Sequence, residues 1–243
     1  MPSDIILRAE VGSRAYGTGT SDSDRDIMAV AVEPAEFITG LSPAWGTMHD
    51  SSTGNNIRST ADTIDTTIYG LKKFGTLAVQ GNPSVLCFLF ANEFEVATGS
   101  GILLLENRDY FVSKQAGERF LGYMRAQRES MTGVRNKRTN RPELVHTYGY
   151  DTKSAYHMVR LGLMGYELMC TGAMTLPMVP ENVALCMDIR NGKLTKDEVL
   201  DLSYDVESRL EAAVESADLP EQSDMTEASK LLHDIYLTAW DER

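Results

Sequence analysis

Two short segments near the N-terminus have the apolar pattern of buried β-strands. The first is Ile5–Val11, and the second covers residues 27–32, an uninterrupted apolar run. Apolar runs of this length, bounded by turn residues, are typical of strands that pack inside a sheet. Residues 56–65 are rich in β-branched side chains and predict a third strand.

The period of the apolar positions changes after the third predicted strand. In residues 66–80 apolar side chains recur at intervals of three and four, which predicts a helix that ends before Pro83. Beyond residue 100 the pattern is mainly helical, with amphipathic helices predicted over residues 113–127, 152–170 and 196–214.

This order of elements predicts an α/β fold, more narrowly α+β, in which a sheet with flanking helices precedes a helical region. The change of pattern falls near Gly99 and Gly101. We therefore expect a sheet domain over residues 1–100 and a helical domain over residues 101–243.

The charge of the chain excludes one class of function. The 243 residues include 42% apolar and 24% charged side chains, as in ordinary globular proteins, and the net charge is −12. Residues 193–243 carry 5 basic and 14 acidic side chains, so most of the negative charge lies there. A protein that coats long nucleic acid needs a strong positive field, which this chain lacks, although a local basic groove remains compatible with the composition.

The apolar runs and the cysteines indicate the cellular compartment of the protein. The longest apolar run, residues 85–91, is far shorter than the ~20 residues of a membrane span, and the N-terminus lacks a signal-peptide pattern. Cys87, Cys170 and Cys186 are odd in number and widely spaced, which favours reduced thiols. We expect a soluble cytoplasmic protein with no membrane partner.

The polar loop between the first two predicted strands concentrates glycine and aspartate. Residues 12–26 contain three glycines and three aspartates. Asp24 and Asp26, two residues apart at the start of a strand, project to the same face. Such close carboxylates repel unless a cation lies between them, and Mg²⁺, or Mn²⁺, suits oxygen ligands that leave room for phosphates. Asp65 would join them if its strand lies beside the first, and three carboxylates suit two metal ions. The alternative is an acidic turn that simply faces water.

Three known loop types do not fit these residues. An EF-hand would place Ile27 where its loop needs glycine. A phosphate-binding P-loop would place Thr18 where lysine must reach the phosphates, and a dinucleotide fingerprint would place Asp22 at its third glycine.

The remaining pattern is Gly12-Ser13, a spacer, and Asp24-Arg25-Asp26 on a strand. It resembles the DNA polymerase beta-like nucleotidyltransferase superfamily, in which Gly-Ser precedes Asp-x-Asp by a short spacer. The resemblance extends to the branch of RNA-repair-associated nucleotidyltransferases. The motifs of that branch recur at residues 12–17, 23–26, 65–67, 73–74, 81–83, 120–123, 127, 141–143, 149–153, 157, 160–161 and 190–192.

The resemblance implies metal-dependent transfer of NMP from an NTP to a hydroxyl, with release of pyrophosphate. The residues implied are the catalytic and metal-binding Asp24, Asp26 and Asp65, with Gly12, Ser13 and Arg14 at the nucleotide. Residues 1–100 would then be catalytic, and residues 101–243 would complete the cleft for nucleotide and acceptor. An RNA 3′ end is the leading acceptor. The alternatives are a protein or small-molecule acceptor, or an idle module that binds NTP as a sensor.

Basic residues of the helical region are candidates for phosphate binding. Lys153, His157 and Arg160 share one helix stripe, which predicts either a phosphate-binding face over the metal site or surface ion pairs. Residues 119–141 contain seven lysines and arginines and one acid, which indicates either a track for a short RNA end or a solvated face. Those seven residues are Arg119, Arg125, Arg128, Arg135, Lys137, Arg138 and Arg141.

Cys87 departs from the pattern of the branch, which usually carries an acidic residue in this apolar segment. If that carboxylate assists the acceptor or the metal in relatives, this chain has lost or moved the contribution. The other interpretation is a small thiol buried in a core helix.

Overall fold

The structure, a computed structural model, describes residues 4–43, 45–52, 60, 62–134 and 141–241. The chain forms two compact units. Unit 1 comprises Met1–Val112 and Ser223–Arg243, and unit 2 comprises Ser113–Gln222. Unit 1 contains the sheet and unit 2 is helical, which confirms the predicted fold class.

Five strands of the described residues form a mixed sheet in unit 1. They are β1 Ile5–Val11, β2 Arg25–Ala31, β3 Thr47–Ser51, β4 Ile64–Gly70 and β5 Val96–Ala97. The order across the sheet is β3-β4-β2-β1-β5, with β2 and β4 parallel and the other neighbours antiparallel. Because β2 and β4 run in the same direction, both strands begin at the same edge of the sheet.

The helices of the described chain fall in both units. Those of unit 1 are α1 Gly12–Ala15, α2 Ala35–Thr39, α3 Leu71–Val79, α4 Pro83–Leu89, α5 Gly99–Glu106, a 3-10 helix Arg108–Phe111 and, at the end of the chain, α11 Met225–Asp241. Those of unit 2 are α6 Lys114–Thr132, α7 Pro142–Tyr148, α8 Thr152–Thr171, α9 Pro180–Arg190 and α10 Lys196–Ser216. In the part of the chain that the structure describes, none of them is both long and apolar enough to cross a membrane.

Because side chains alternate along β2, its two faces have different surroundings. Ala29 and Ala31 form a buried cluster with Ile68 of β4, against which Trp45 and Met48 pack. Successive side chains of a strand point to opposite faces. Asp26, an odd number of residues before Ala29 and Ala31, therefore points to the face opposite this cluster. One face of β2 therefore builds core, while the other is available for a site.

A buried carboxylate joins the last helix to the sheet. Glu33 follows β2 and is fully buried, and its Oε2 accepts hydrogen bonds from the Leu71 backbone N–H (2.9 Å) and the Tyr236 hydroxyl (2.5 Å). The Trp240 indole N–H donates to the Glu33 carbonyl at 2.8 Å. Burial, followed by the hydrogen bond and charge of Glu33, raises the pKa of Tyr236. These contacts place α11 in unit 1, far in sequence from the strands.

Unit 2 is organised around α8, most of whose residues are buried. Two glycines allow its neighbours to approach closely. A Cβ on Gly162 would lie 2.4 Å from a Val206 methyl group, and one on Gly165 would lie 2.7 Å from Phe120 Cβ. Helix α8 therefore packs tightly against α10 and α6, and no larger side chain fits at either glycine.

The structure corrects one predicted helix. Residues 66–70 belong to β4, and α3 begins only at Leu71. Their β-branched side chains suit the parallel ladder with β2, and Gly70 ends the strand. Of the predicted strand over residues 56–65, residues 56–59 and 61 lie outside the described residues.

The division into units also differs from the predicted boundary after residue 100. Unit 1 continues to Val112 because α5 packs on β1, where a Cβ on Gly101 would lie 2.2 Å from the Ile6 carbonyl oxygen. Residues 223–243 join unit 1 rather than the helical unit because of the contacts of Tyr236 and Trp240 with Glu33.

Candidate active site

Three carboxylates converge where β2 and β4 begin. Asp26 and Asp65 are direct partners in the parallel ladder, and Asp24 precedes β2. Ligand oxygens of the three residues lie within 4.8 Å of one another, and all three side chains are half-buried. The predicted convergence is confirmed, with one difference: Asp65 lies near the start of its strand rather than at its end.

The donor set fits a hard divalent cation. Each aspartate offers carboxylate oxygen and no softer ligand, which is the chemistry that Mg²⁺ and Mn²⁺ prefer. Without a cation, three negative charges at this separation repel one another. A side of the cluster facing solvent leaves coordination positions for phosphate oxygens and water. The cluster is therefore a candidate metal centre rather than only a polar turn.

Gly12 lies directly against this cluster. It has φ +74°, a left-handed conformation, and a Cβ at this position would lie 2.3 Å from Asp26 Oδ2. The ladder explains the proximity, because Val11 is the partner of Asp26 across the β1–β2 pair. Glycine is thus required twice, once for the backbone conformation and once for the space beside the carboxylate.

The residues after Gly12 form a tight, internally bonded turn. The Ser13 carbonyl accepts hydrogen bonds from the Thr18 N–H (2.8 Å) and the Thr18 hydroxyl (3.2 Å). Arg14 donates through Nη2 to the Ser23 carbonyl at 2.8 Å, and its Nε lies 3.8 Å from Glu10 Oε1. Arg14 therefore ties the start of the loop to its end, just ahead of Asp24.

A cavity of about 190 Å³ opens beside the carboxylates. Its lining comes from β1, β2, β4, the loop and α4: Val11, Gly12, Tyr16, Asp26, Ile27, Met28, Asp65, Thr67 and Ser84. Sequence reasoning did not assign Tyr16, Thr67 or Ser84 to the site. Two of the three could have been found from the sequence, because Tyr16 and Thr67 fall within the motif segments 12–17 and 65–67.

Helix α4 presents its first turn to the cavity. The Asn82 side chain caps this helix by accepting hydrogen bonds from the Ser84 and Val85 N–H groups. Cys87 lies one turn further along the helix and is only 3% exposed. Its environment is that of a small buried core residue.

Arg25, between the two aspartates, belongs to the opposite face of the sheet. It forms an ion pair with Glu95 and lies 3.6 Å from Glu10, while Arg8 Nε donates to Glu95 at 2.9 Å. These partners come from β1 and from the segment before β5. These ion pairs stabilise β2 on one face of the sheet, while Asp26 lines the cavity on the other face.

A sequence profile described as the RNA repair pathway DNA polymerase beta family matches residues 2–234, which is nearly the whole chain. The chain belongs to this family. The resemblance seen in its motifs is thereby confirmed, and the three aspartates are the cluster expected at the metal-binding centre of a polymerase beta-like nucleotidyltransferase.

Two further proteins are similar to this member of the RNA repair pathway family. An uncharacterized 38.9 kDa protein in the nrdC-mobD intergenic region of Enterobacteria phage T4 is 30% identical over 138 residues, which cover 55% of this chain and 40% of that protein. The chain thus spans about two fifths of the length of this relative. A nucleotidyltransferase-like protein from Exiguobacterium sibiricum 255-15 matches 96% of this chain and 74% of its own, at 10% identity and a TM-score of 0.32. A structural similarity this low supports no conclusion about the function of this chain.

The second group of predicted residues lies in unit 2. Lys153 is exposed, His157 is half-buried and Arg160 is 7% exposed, so the stripe runs from the surface into the interior of the unit. Burial, followed by Arg160, Lys153, Arg141 and Arg190, lowers the pKa of His157 to about 3. Buried Arg160 excludes the interpretation of the stripe as surface ion pairs alone, while its role at the nucleotide stays a prediction.

The basic stretch over residues 119–141 is largely paired where it is described. Arg125 Nε lies 2.5 Å from Glu207 Oε1, and Arg128 Nη2 lies 2.5 Å from Glu207 Oε2. Arg141 forms an ion pair with Asp151 at 2.7 Å. Arg135, Lys137 and Arg138 lie outside the described residues. Arg125 and Arg128 therefore stabilise the packing of α6 against α10, and Arg141 is engaged with the cap of α8, so these three arginines add little support for an RNA track.

Proposed function

We propose that the protein transfers NMP from an NTP to the hydroxyl of an acceptor, with Asp24, Asp26 and Asp65 as the metal-binding residues. The observation that carries this proposal is the convergence of the three carboxylates beside the cavity. Family membership supports the same chemistry.

The residues of unit 1 divide the work of this reaction. Asp24, Asp26 and Asp65 hold divalent cations, which supply charge neutralisation for the triphosphate and lower the pKa of the acceptor hydroxyl. The acceptor hydroxyl gives its proton to solvent water and its oxygen bonds to the α-phosphorus. The bond from that phosphorus to the bridging oxygen breaks, and its electron pair leaves with pyrophosphate. Gly12 allows the backbone to come close to the phosphates, and the Ser13 hydroxyl donates to them. Arg14 supports nucleotide binding indirectly, because its hydrogen bond to the Ser23 carbonyl joins the start of the loop to its end.

The phosphate groups of the nucleotide also need cationic partners beyond the metal ions. We assign this role to Lys153, His157 and Arg160 of unit 2. Their support is the family motif in which they lie and the concentration of positive charge around His157.

An RNA 3′ end is the acceptor we propose, because the family is described by its place in RNA repair. A 3′ hydroxyl supplies the nucleophile that the proposed reaction requires. The acidic surface of the whole chain, at −12, would disfavour coating of long RNA and favour contact at an end.

The test incubates the full chain and Mg²⁺ with each of the four α-labelled NTPs, a mixed RNA sample and a protein extract, and then separates the products. We expect label in RNA, and none after periodate has destroyed the 3′ diol of the same RNA. Label only in protein or a small molecule would overturn the RNA acceptor. No label in any fraction, with NTP still bound, would overturn transfer itself.

A further inference from the structure

Strand β3 adds two side chains to the face of the sheet that carries the carboxylates. Ser51 is the ladder partner of Asp65, and His49 is the partner of Thr67. Met48, the neighbour of His49 in the chain, packs instead on the buried cluster of the opposite face. Because successive residues of a strand alternate between faces, His49 and Ser51 lie on the same face as Asp65 and Thr67. The face that holds the metal centre therefore extends to β3.

A direct hydrogen bond joins His49 to the wall of the cavity. His49 Nδ1 lies 3.1 Å from Thr67 Oγ1, and Thr67 lines the cavity together with Asp26 and Asp65. Thr67 is half-buried, whereas His49 is exposed. The hydroxyl donates to Nδ1 or accepts from it, according to the tautomer of the ring. In either case, a residue of the site orients the histidine.

In the described part of the chain, the second ring nitrogen of His49, Nε2, has no partner. If Thr67 donates to Nδ1 of the neutral ring, Nε2 carries the proton and donates to a ligand, and in the other tautomer Nε2 accepts. A hydroxyl group both donates and accepts, so it complements Nε2 in either tautomer. A phosphate oxygen only accepts and complements one of them. A hydroxyl is therefore the ligand that suits this residue best.

His49 is close enough to Asp65 for one ligand to contact both residues. The two are diagonal neighbours in the antiparallel pair of β3 and β4, since Asp65 is the partner of Ser51 and His49 lies two residues before Ser51. Diagonal neighbours on one face have Cα atoms about 7–8 Å apart, within reach of long and aromatic side chains. A sugar ring with one hydroxyl at the metal centre can therefore reach His49 with the next.

The order of the strands places His49 on the acceptor side of the metal centre. Strand β1, which leads into Gly12 and Ser13, lies on one side of β2, whereas β4 and β3 lie on the other. The proposed function puts the triphosphate at Gly12 and Ser13. In an in-line displacement the attacking and leaving oxygens lie on opposite sides of the phosphorus. If pyrophosphate leaves on the side of β1, the acceptor enters over β4 and β3, where His49 lies.

We propose that His49 binds the 2′ hydroxyl of the acceptor's 3′-terminal nucleotide and makes the site prefer an RNA end over a DNA end. The inference rests on the proposed function, in which the terminal 3′ hydroxyl is the nucleophile, and it names the residue that selects the sugar. The 2′ hydroxyl adjoins the 3′ hydroxyl in the sugar ring and is the group by which proteins distinguish RNA from DNA. Thr67 is a positioning residue, because it acts through the His49 ring.

Two oligoribonucleotides that differ only in the terminal sugar test this contact. Both carry a 5′ fluorescent label and a free 3′ hydroxyl, and one of them ends in 2′-deoxyribose. Fluorescence anisotropy with the full chain and Mg²⁺, without NTP, measures both affinities. Because one hydrogen bond makes a modest net contribution, we expect the ribose end to bind about threefold to tenfold more tightly. Equal affinities, or no binding of either oligonucleotide, would overturn the proposal.

Substitutions at the two bonded residues assign the preference. His49→Phe keeps a flat ring at an exposed position of the strand and removes both nitrogens, so we expect it to bind the two ends equally. Thr67→Val keeps the branched shape that suits a strand and removes the hydroxyl that orients the ring, so we expect a reduced preference. A full preference for ribose in His49→Phe would contradict the role of His49.

A double variant and a matched control complete this series. The double variant should lose no more of the ribose preference than His49→Phe alone, because Thr67 acts on the sugar only through His49. His233→Phe, at an exposed histidine of α11, should keep the preference of the unmodified protein. Independent, additive losses from the two single variants would show that Thr67 does not position His49.

Transfer assays separate the acceptor sugar from the sugar of the incoming nucleotide. For His49→Phe we expect the KM of the ribose-ended acceptor to rise about threefold to tenfold, and the ratio of kcat/KM between NTP and dNTP to stay unchanged. A change in that ratio without a change in the acceptor preference would assign His49 to the NTP and overturn the proposal.

The anisotropy measurement needs no transfer, so the two proposals fail separately. A ribose preference that His49→Phe abolishes, without any transfer, would support the contact and contradict the activity. Transfer to RNA with no ribose preference would contradict the contact alone.

Discussion

Gly12 sets how closely the backbone approaches the carboxylates of the site. Its left-handed conformation disfavours any residue with a Cβ, and the missing side chain leaves room for Asp26 Oδ2. The site thus depends on a residue that contributes no functional group. The site therefore requires a residue without a side chain at position 12 as well as the three aspartates.

Replacing Gly12 with alanine should damage both stability and the metal centre. We expect a loss of about 1–2 kcal/mol in the free energy of unfolding from the left-handed backbone alone, and weaker Mn²⁺ binding because Asp26 must move. Denaturant titration and Mn²⁺ titration measure the two effects.

Gly122→Ala is the matched control for this substitution. Gly122 lies within α6, and apart from the local backbone of that helix no atom of the described residues lies within 4 Å of the position that a Cβ would take there. Because alanine favours a helix interior, stability should rise by up to about 1 kcal/mol. Unchanged Mn²⁺ binding in Gly12→Ala would contradict the account of this contact.

The individual aspartates could be predicted from the sequence because their spacing is local. Asp24 and Asp26 lie on one strand, and only the pairing with Asp65 required the neighbouring strand. The partners of His157 could not be predicted in the same way. Arg141 and Arg190 fall within recognised motif segments, but only the packing of α7, α8 and α9 brings their charges to bear on one histidine.

At the scale of elements, local sequence specified β1 more firmly than the boundary between β4 and α3. The bounds of β1 are as predicted, whereas residues 66–70 fit both a helical period and a β-branched strand. The parallel ladder with β2 decides between them, and a ladder between distant segments is not visible in either segment alone. Similarly, nothing in the amphipathic pattern of α11 indicates that it packs in unit 1.

The contact between Tyr236 and Glu33 should govern stability at high pH. The pKa of Tyr236 is raised in the folded state, so the phenol stays protonated there after the unfolded chain has begun to ionise near pH 10. The contribution is therefore complete below about pH 10 and is lost as the pH rises above it, by about 1.4 kcal/mol per unit. Denaturant titrations between pH 8 and pH 11 measure this slope.

Tyr236→Phe should flatten that alkaline slope and, near pH 7, cost about 1.5–3 kcal/mol, because Glu33 loses a hydrogen bond to its buried carboxylate. Tyr204→Phe is the control, since Tyr204 is 54% exposed and its ring remains available to Arg128. An equally steep slope in Tyr236→Phe and the unmodified protein would show that other groups cause the alkaline loss.

For the whole molecule, the distribution of charge bears on the proposed RNA acceptor. The net charge is −12, and Arg125, Arg128 and Arg141 of the basic stretch are engaged with Glu207, Glu211 and Asp151. If an RNA end is the acceptor, as proposed, we expect its binding to depend on a few phosphate contacts rather than on a broad positive surface. Contact at an RNA end is the mode of binding that this distribution of charge favours.

The salt dependence of RNA binding tests this limit. With about three phosphate contacts on a single strand, the slope of log K against log salt concentration should be about −2. Lys153→Ala should reduce its magnitude by about 0.7, whereas Lys230→Ala, at an exposed lysine on α11, should not change it. Fluorescence anisotropy with a labelled oligoribonucleotide measures the slope, and a value steeper than about −5 would indicate an extended track instead.

The central claim for the molecule is that the three aspartates carry metal-dependent nucleotidyl transfer. It is tested most directly by the single-turnover rate of transfer from α-labelled NTP in Mg²⁺, measured for Asp26→Asn and for Asp22→Asn. Asp22 is an exposed aspartate of the same loop and lies outside the metal cluster. We predict a loss of at least about a hundredfold in Asp26→Asn and an unchanged rate in Asp22→Asn. A rate within tenfold of the unmodified protein in Asp26→Asn, with its fold intact by circular dichroism, would contradict the account.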